Sequence, residues 1–186
     1  MAHSPGYVPL VRDRKSKLAG ILVVRTDSPV RNVQQLDGKT VAFPAPDAYV
    51  ASLLLRSFLA SKHVQVEADY VGSHSNVYRA VALGAADAGG GANTTLKREP
   101  EGLRSQLRVL YTTPLYVSHP FSAHPRVPRQ VREKVIRGFF EMAGDTDGRA
   151  LLKAIQMPSP VRADYGRDYR ALEKLHLGRF TKQGSR

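Results

Sequence analysis

The run Gly72-Ser73-His74-Ser75-Asn76 sets two hydroxyls and an imidazole side by side, directly ahead of the apolar-periodic segment "VYRAVALG". At a helix start such a set can hold an anion. The first backbone N–H groups have no partner within the helix, the dipole there is positive, and imidazole titrates near neutrality. The alternative is a Ser cap beside an incidental His. A second start of this kind follows Pro44 and Pro46, where Asp47 is placed to act as N-cap ahead of Tyr49. Asp47 would repel a dianion unless its carboxylate caps the helix and turns away. Tyr49 either stacks on, or hydrogen-bonds, an organic ligand, or is a partly buried surface ring. Asp87 and Asn93 bracket Gly89-Gly90-Gly91, glycines that permit close backbone approach. They read as ligand contacts or as residues of a tight turn.

Other chemistries fail on residue type or spacing. His119 and His124 in "SHPFSAHP" are not at helical spacing and have no carboxylate beside them, so a structural loop is expected rather than a metal pair. Asp145 and Asp147 in "AGDTDGRA" lack the full calcium-loop pattern and read as turn and N-cap residues. Tyr7 and Tyr116 read as packing rings. The chain has no cysteine, which excludes disulfides, thiol catalysis and Cys-ligated zinc. There is no Ser-His-Asp set, no phosphate-binding Gly loop with Lys and no His-x-x-x-His helix, so neither an enzyme nor a cofactor is expected.

With 28 basic against 16 acidic side chains the chain carries +12, but the charges are scattered among acids and apolar residues. That pattern is expected of a solvated surface; with no helix-turn-helix signature, no nucleic-acid partner is expected. No stretch of eighteen apolar residues occurs, and the start "MAHSPGYVPLVRDRK" has no apolar core of signal-peptide length, so no membrane insertion is expected. At 186 residues the chain can bury roughly 70% of its unfolded surface, enough for a real core.

The elements that must position these residues alternate. Ile21 to Val24 is an apolar strand stopped by Thr26-Asp27-Ser28-Pro29. "VRNVQQLDGK" is a helical turn ending at Gly38, and "TVAF" is a strand buried on both faces. The helix after Asp47 places Val50, Leu53, Leu54 and Phe58 on one stripe and ends near Lys62-His63. "QVEADYVG" alternates as a strand, "SHSNVYRAVALG" is a capped helix closing on Gly84, and "AADAGGGA" is a further strand. Strand and helix in alternation predict a mainly parallel α/β sheet. "NTTLKREPEGL" follows as a short helix and loop, and "QLRVLYTTPLYVSHPF" as a strand. The helix "PRQVREKVIRGFFEMAG" turns Val131, Val135, Phe139 and Met142 inward, and two more helical segments follow.

In this order, "GYVPLVRD", "ILVVRTDSPVRNVQQLDGKTVAF", "GSHSNVYRAVALGAADAG", "RVLYTTPLYVSHPF" and "VPRQVREKVIRGFFEMAGDTDGRALL" resemble the periplasmic phosphate/phosphonate-binding protein family of ABC transporters, from Gly6 to Leu175. The resemblance implies a type II periplasmic-binding-protein-like α/β fold. One complete lobe, 27–117, has a mainly parallel sheet. An incomplete second lobe is made of 1–26 and 118–186, because family members carry a further αβ segment before "GYVPLV". The crossings between lobes are expected near Arg25 and Tyr116. It further implies a periplasmic solute-binding component that closes two lobes on a small anionic ligand and hands it to an ABC permease. A ligand-sensing domain of a signalling protein is the alternative. The family position matched by His74 contacts ligand, with Ser73 beside it, and the family's strand end and loop at Asp87 and Asn93 often reach it. Where the family carries a Ser-Thr-Ser-Gly oxyanion cradle, this chain reads Ala48, Tyr49, Val50 and Ala51, which implies altered or reduced phosphonate specificity. The incomplete lobe implies possible self-association. The fold also hosts a cofactor-precursor synthase that depends on cysteines, which this chain lacks.

Overall fold

The computed structural model describes residues 6–181. Two compact units divide the chain, Leu18–Tyr116 with Leu172–Arg186 forming the larger and Met1–Lys17 with Val117–Ala171 the smaller.

The larger unit is built on a five-stranded sheet whose spatial order is Glu67–Tyr70, Thr40–Phe43, Ala88–Ala92, Gly20–Arg25, Leu107–Thr112. Thr40–Phe43 pairs in parallel with both Glu67–Tyr70 and Ala88–Ala92. Gly20–Arg25 pairs antiparallel with Ala88–Ala92 on one side and Leu107–Thr112 on the other. Four strands therefore run one way and Gly20–Arg25 alone runs the other. That strand precedes the strand–helix alternation, so no crossover helix sets its direction. It is an interior strand of this sheet, and the chain first passes between units at Lys17–Leu18.

The apolar runs read from the sequence are the core. Leu22, Val24, Val41 and Phe43 cluster with Leu55 and Leu59 of the helix Leu55–Ser61. Ile21, Val23 and Ala42 cluster with Val77, Tyr78 and Val81 of the helix His74–Ala82. Alternate residues of one strand thus serve the two faces, as the two-residue period of a strand requires. Gly38 and Gly84 close their turns at φ +71° and +75°, a region a side chain resists.

In the smaller unit Val8–Asp13 lies between Phe121–Ala123 and Pro160–Arg162, all antiparallel. The helix Arg129–Gly144 covers this sheet through Ile136, with Val135 and Phe139 against Leu10 and Val11. Val131, expected on the inner face, is 45% exposed instead, because three short strands cannot cover the whole length of a sixteen-residue helix. Asp145 caps the next helix, Thr146–Ala154, by accepting from Gly148 N at 2.7 Å, as its sequence position predicts.

Candidate functional site

In a parallel sheet every strand ends at the same edge, and the helix that follows each strand begins there. Phe43 and Tyr70 are register partners, so the segments leaving them start their helices at one edge of the larger unit. Tyr49–Leu54 begins as a π-helical turn and continues as Leu55–Ser61, while His74–Ala82 begins after Ser73. Ala88–Ala92 ends at that same edge and runs into Asn93.

The glycines of Ala88–Ala92 seat these two helices on opposite faces. A Cβ at Gly90 would lie 2.3 Å from the Ala51 carbonyl oxygen, and one at Gly91 would lie 2.2 Å from the Tyr78 hydroxyl. At Gly89 it would meet Val77 at 2.6 Å. The close approach these residues permit is therefore that of helix to sheet.

The helix start at Tyr49 offers backbone alone. Ala48 is its N-cap and no side chain caps it, so the cap expected of Asp47 does not form. Ala48 itself supplies the carbonyl that accepts from Ser52 and Leu53, at 2.8 and 3.0 Å, which fixes the start one residue later. The nearest Ser or Thr hydroxyl, that of Ser52, is fully buried and donates back to the Ala45 carbonyl at 2.6 Å. The Tyr49 ring is half-buried and meets the Tyr116 ring edge-on, 6.4 Å between centroids, in a cluster with Val50, Leu54 and Leu175.

The start at Ser73 is polar throughout. Ser73 Oγ accepts from Asn76 N at 3.1 Å and is the cap, and Ser75 Oγ donates to Glu99 at 2.6 Å. His74 Nδ1 lies 3.4 Å from Thr95 Oγ1, which also meets the Tyr78 hydroxyl at 2.6 Å and donates to the Ala92 carbonyl at 3.0 Å. Burial pushes the His74 pKa below its ordinary value, with the Glu99 carboxylate pulling the other way. Burial likewise pushes the Tyr78 phenol up to about 12, opposed by its bond to Thr95. The Tyr78 phenol therefore stays neutral at any working pH, and burial holds the His74 imidazole toward its neutral form.

Ser73, His74, Tyr49 and Asn93 are thus brought to one edge, and Asp87 is not. Asp87 precedes Ala88 at the opposite end of the strand, where its carboxylate accepts from Thr40 N at 3.1 Å and from Lys39 Nζ at 3.4 Å. Asn93 is held in place by Ala19, accepting from its N–H at 3.1 Å through Oδ1 and donating its own N–H to the Ala19 carbonyl at 3.0 Å. Thr95, Tyr78 and Glu99 complete the His74 surroundings and did not emerge from the sequence. Thr95 alone carried a signal, a hydroxyl two residues into a helix start.

In the loop with His119, His124 Nδ1 accepts from Arg126 N at 3.2 Å, and its ring meets Tyr7 edge-on at 5.6 Å. Among the described residues no group of three His, Asp or Glu side chains could hold a metal ion. Nor is any helix among them long and apolar enough to cross a membrane.

Residues 1–169 match the sequence profile of the family described as ABC transporter, phosphonate, periplasmic substrate-binding protein. No curated protein matches the chain in sequence. Solved structures share its fold. A Xanthomonas citri protein bound to ATP is 19% identical with a TM-score of 0.84, over 96% of this chain and 74% of the other. PhnD1 from Prochlorococcus marinus in complex with methylphosphonate is 17% identical with a TM-score of 0.77, over 95% and 72%. A binding protein component of an ABC phosphonate transporter from Pseudomonas aeruginosa is 17% identical with a TM-score of 0.72, over 94% and 61%.

Proposed function

We propose that this chain, which belongs to the ABC transporter phosphonate, periplasmic substrate-binding protein family, takes a small organic anion with a flat or apolar portion in preference to phosphate or methylphosphonate. Members of that family bind substrates for transport and are not enzymes. Membership implies a small ligand, an ABC permease as partner and a periplasmic location, and the ligand is where this chain departs.

The observation that carries the reading is the helix start at Tyr49. An oxyanion held there would meet backbone N–H groups and the dipole but no Ser or Thr hydroxyl, because Ala48, Val50 and Ala51 have none, the Tyr49 ring packs against Tyr116, and Ser52 is engaged with Ala45. Charge-assisted hydrogen bonds contribute roughly 1.5–3 kcal/mol each, so losing two or three lowers phosphonate affinity by orders of magnitude. Asp47 and Glu99 each set a carboxylate beside one of the two starts, which disfavours a dianion over a monoanion. The Tyr49 ring provides a face for an organic group, and His74 provides a proton that an arriving anion would stabilise. That relatives of this fold were solved with methylphosphonate and with ATP supports a fold able to take a bare oxyanion or one carrying a flat ring.

Calorimetry against phosphate, methylphosphonate and a panel of aromatic and aliphatic carboxylates tests this. The expected result is binding of an organic acid that weakens in Tyr49→Ala and His74→Ala, with phosphate and methylphosphonate far weaker. Submicromolar phosphate or methylphosphonate binding, indifferent to both substitutions, refutes it.

A further inference from the structure

A cavity of about 330 Å³ lies on the larger unit along the Tyr49–Ser61 helix, away from the His74 start. Leu54, Ser57, Phe58 and Ser61 form one of its walls, a single face of that helix at helical spacing. Tyr111 of the strand Leu107–Thr112, the segment 113–116 that follows it, and the segment 174–179 complete it. Phe58 and Tyr111 stack face to face within it, 3.8 Å between centroids and 3° between planes, so each covers one face of the other and the outer face of the pair is the apolar platform left for a ligand. The Ser and Thr hydroxyls are already engaged: Ser57 donates to the Leu175 carbonyl, Ser61 to Phe58 and Thr113 to Pro114. What remains to recognise a ligand is the aromatic platform, the phenols of Tyr111 and Tyr116, and three exposed basic residues, Lys174, His176 and Arg179, with no carboxylate in the lining.

The segment that brings those residues is pinned at two points. Leu175 is held by Ser57 at 3.3 Å, and the Phe180 carbonyl accepts from Arg56 Nη1 at 2.9 Å, with the Arg56 guanidinium also 5.2 Å over the Phe180 ring. Arg56 is 9% exposed, so a buried cation anchors this end of the chain. Between the pins His176 sits at φ 47°, a left-handed conformation that a non-glycine residue holds only where its surroundings impose it. The wall is thus a fixed arch that presents positive charge over an aromatic floor.

We infer that this cavity is a second binding site, for a small aromatic carboxylate whose ring lies on the Phe58–Tyr111 platform and whose charge faces Lys174 and Arg179. Its volume is at the low end of ligand pockets, which admits one ring with an acid group and excludes a nucleotide. The inference is independent of the ligand proposed for the helix starts at Tyr49 and Ser73.

The test is titration of the full chain with benzoate and with benzyl alcohol, by calorimetry and by amide chemical shifts. Saturable one-to-one binding of benzoate is expected, about tenfold or more tighter than benzyl alcohol, with shifts at Tyr111, Leu175 and Arg179. The double variant Lys174→Gln, Arg179→Gln, both exposed positions, is expected to weaken benzoate by about tenfold or more with an unchanged circular dichroism spectrum. His74→Ala is expected to leave benzoate binding intact, which separates this site from the one proposed above. Equal binding of the two probes, no saturation by benzoate, indifference to the double variant, or shifts confined to Tyr49 and His74 overturns the inference.

Discussion

Replacing Gly90 by Ala tests how the sheet sets the position of the Tyr49 helix. The new Cβ would lie 2.3 Å from the Ala51 carbonyl oxygen and 2.5 and 2.6 Å from the Phe43 ring. Neither neighbour can swing away. Ala51 O is backbone in the first turn of the helix, and Phe43 is fully buried with Leu55 and Leu59 packed against its cluster. Relief requires the helix start to move outward by roughly 1 Å to reach ordinary contact distance. Overpacking of this kind costs about 1–3 kcal/mol, against which a Gly to Ala change in the unfolded chain returns about 0.4–1 kcal/mol. The net expectation is a loss of about 1–2 kcal/mol, read as a lower urea midpoint at unchanged slope. Gly138→Ala is the control: nothing lies within 4 Å of its Cβ, it sits inside Arg129–Gly144, and it should stabilise by about 1 kcal/mol. Amide hydrogen exchange assigns each change to its unit, because Gly90 lies in the larger and Gly138 in the smaller. A Gly90→Ala protein as stable as the parent, with exchange at Val50 to Leu54 unaltered, would refute the argument that this glycine seats the helix.

Thr95→Val leaves the buried Tyr78 hydroxyl with only the Ala92 carbonyl at 3.4 Å, so a loss of about 1–3 kcal/mol is expected in denaturant melts, with Tyr78→Phe in the same background restoring part of it. His74 should titrate by NMR below its ordinary 6.5; because its folded pKa is lowered, the unfolded chain binds the extra proton first, so its contribution erodes stability as pH falls through 6.5, and His74→Gln should flatten that slope. Addition of the organic acid found by calorimetry should raise the same pKa, and an unmoved titration would separate that ligand from His74. Asp168, its side chain only 3% exposed, is held well below the carboxylate range by Arg167 and then Arg12, so its stabilisation is complete above about pH 3.9 and is lost only at more acid pH; Asp168→Asn should cost about 1–3 kcal/mol in the smaller unit at pH 7. Leu151 and Ile155 are 60% and 58% exposed on one helix and its cap, with Phe140 also exposed on the helix before it, so sedimentation is expected to show concentration-dependent association that Leu151→Glu with Ile155→Glu abolishes.

The legible parts of this fold are those where a local pattern has one physical solution. "TVAF" leaves no room for polar alternation, so it had to be a strand covered on both faces, and its residues Val41, Ala42 and Phe43 are fully buried. Ser73 precedes an apolar period and follows Gly72, so it had to cap, and it does. Asp47 shows the limit of that reasoning: the same residue logic applied, but the Ala48 carbonyl accepted the first two bonds of a π-helical turn and took the capping position. Gly89-Gly90-Gly91 shows another. Three glycines announce close approach without saying of what, and the answer lies some forty residues upstream for Gly90 and about a dozen for Gly91, in Ala51 and Tyr78. Asp87 and Asn93 are six residues apart in sequence, yet a five-residue strand places them at opposite edges of the sheet, so only one can serve a site at the carboxyl edge. The arch over the Phe58–Tyr111 platform was hidden for a similar reason: Arg56 gives no sign in sequence that it reaches Phe180, and its burial becomes intelligible only once the carbonyl it serves is known. A cation taken out of water at that depth needs a fixed acceptor, so the segment that supplies the acceptor is held in place by Arg56 as firmly as Arg56 is held by it.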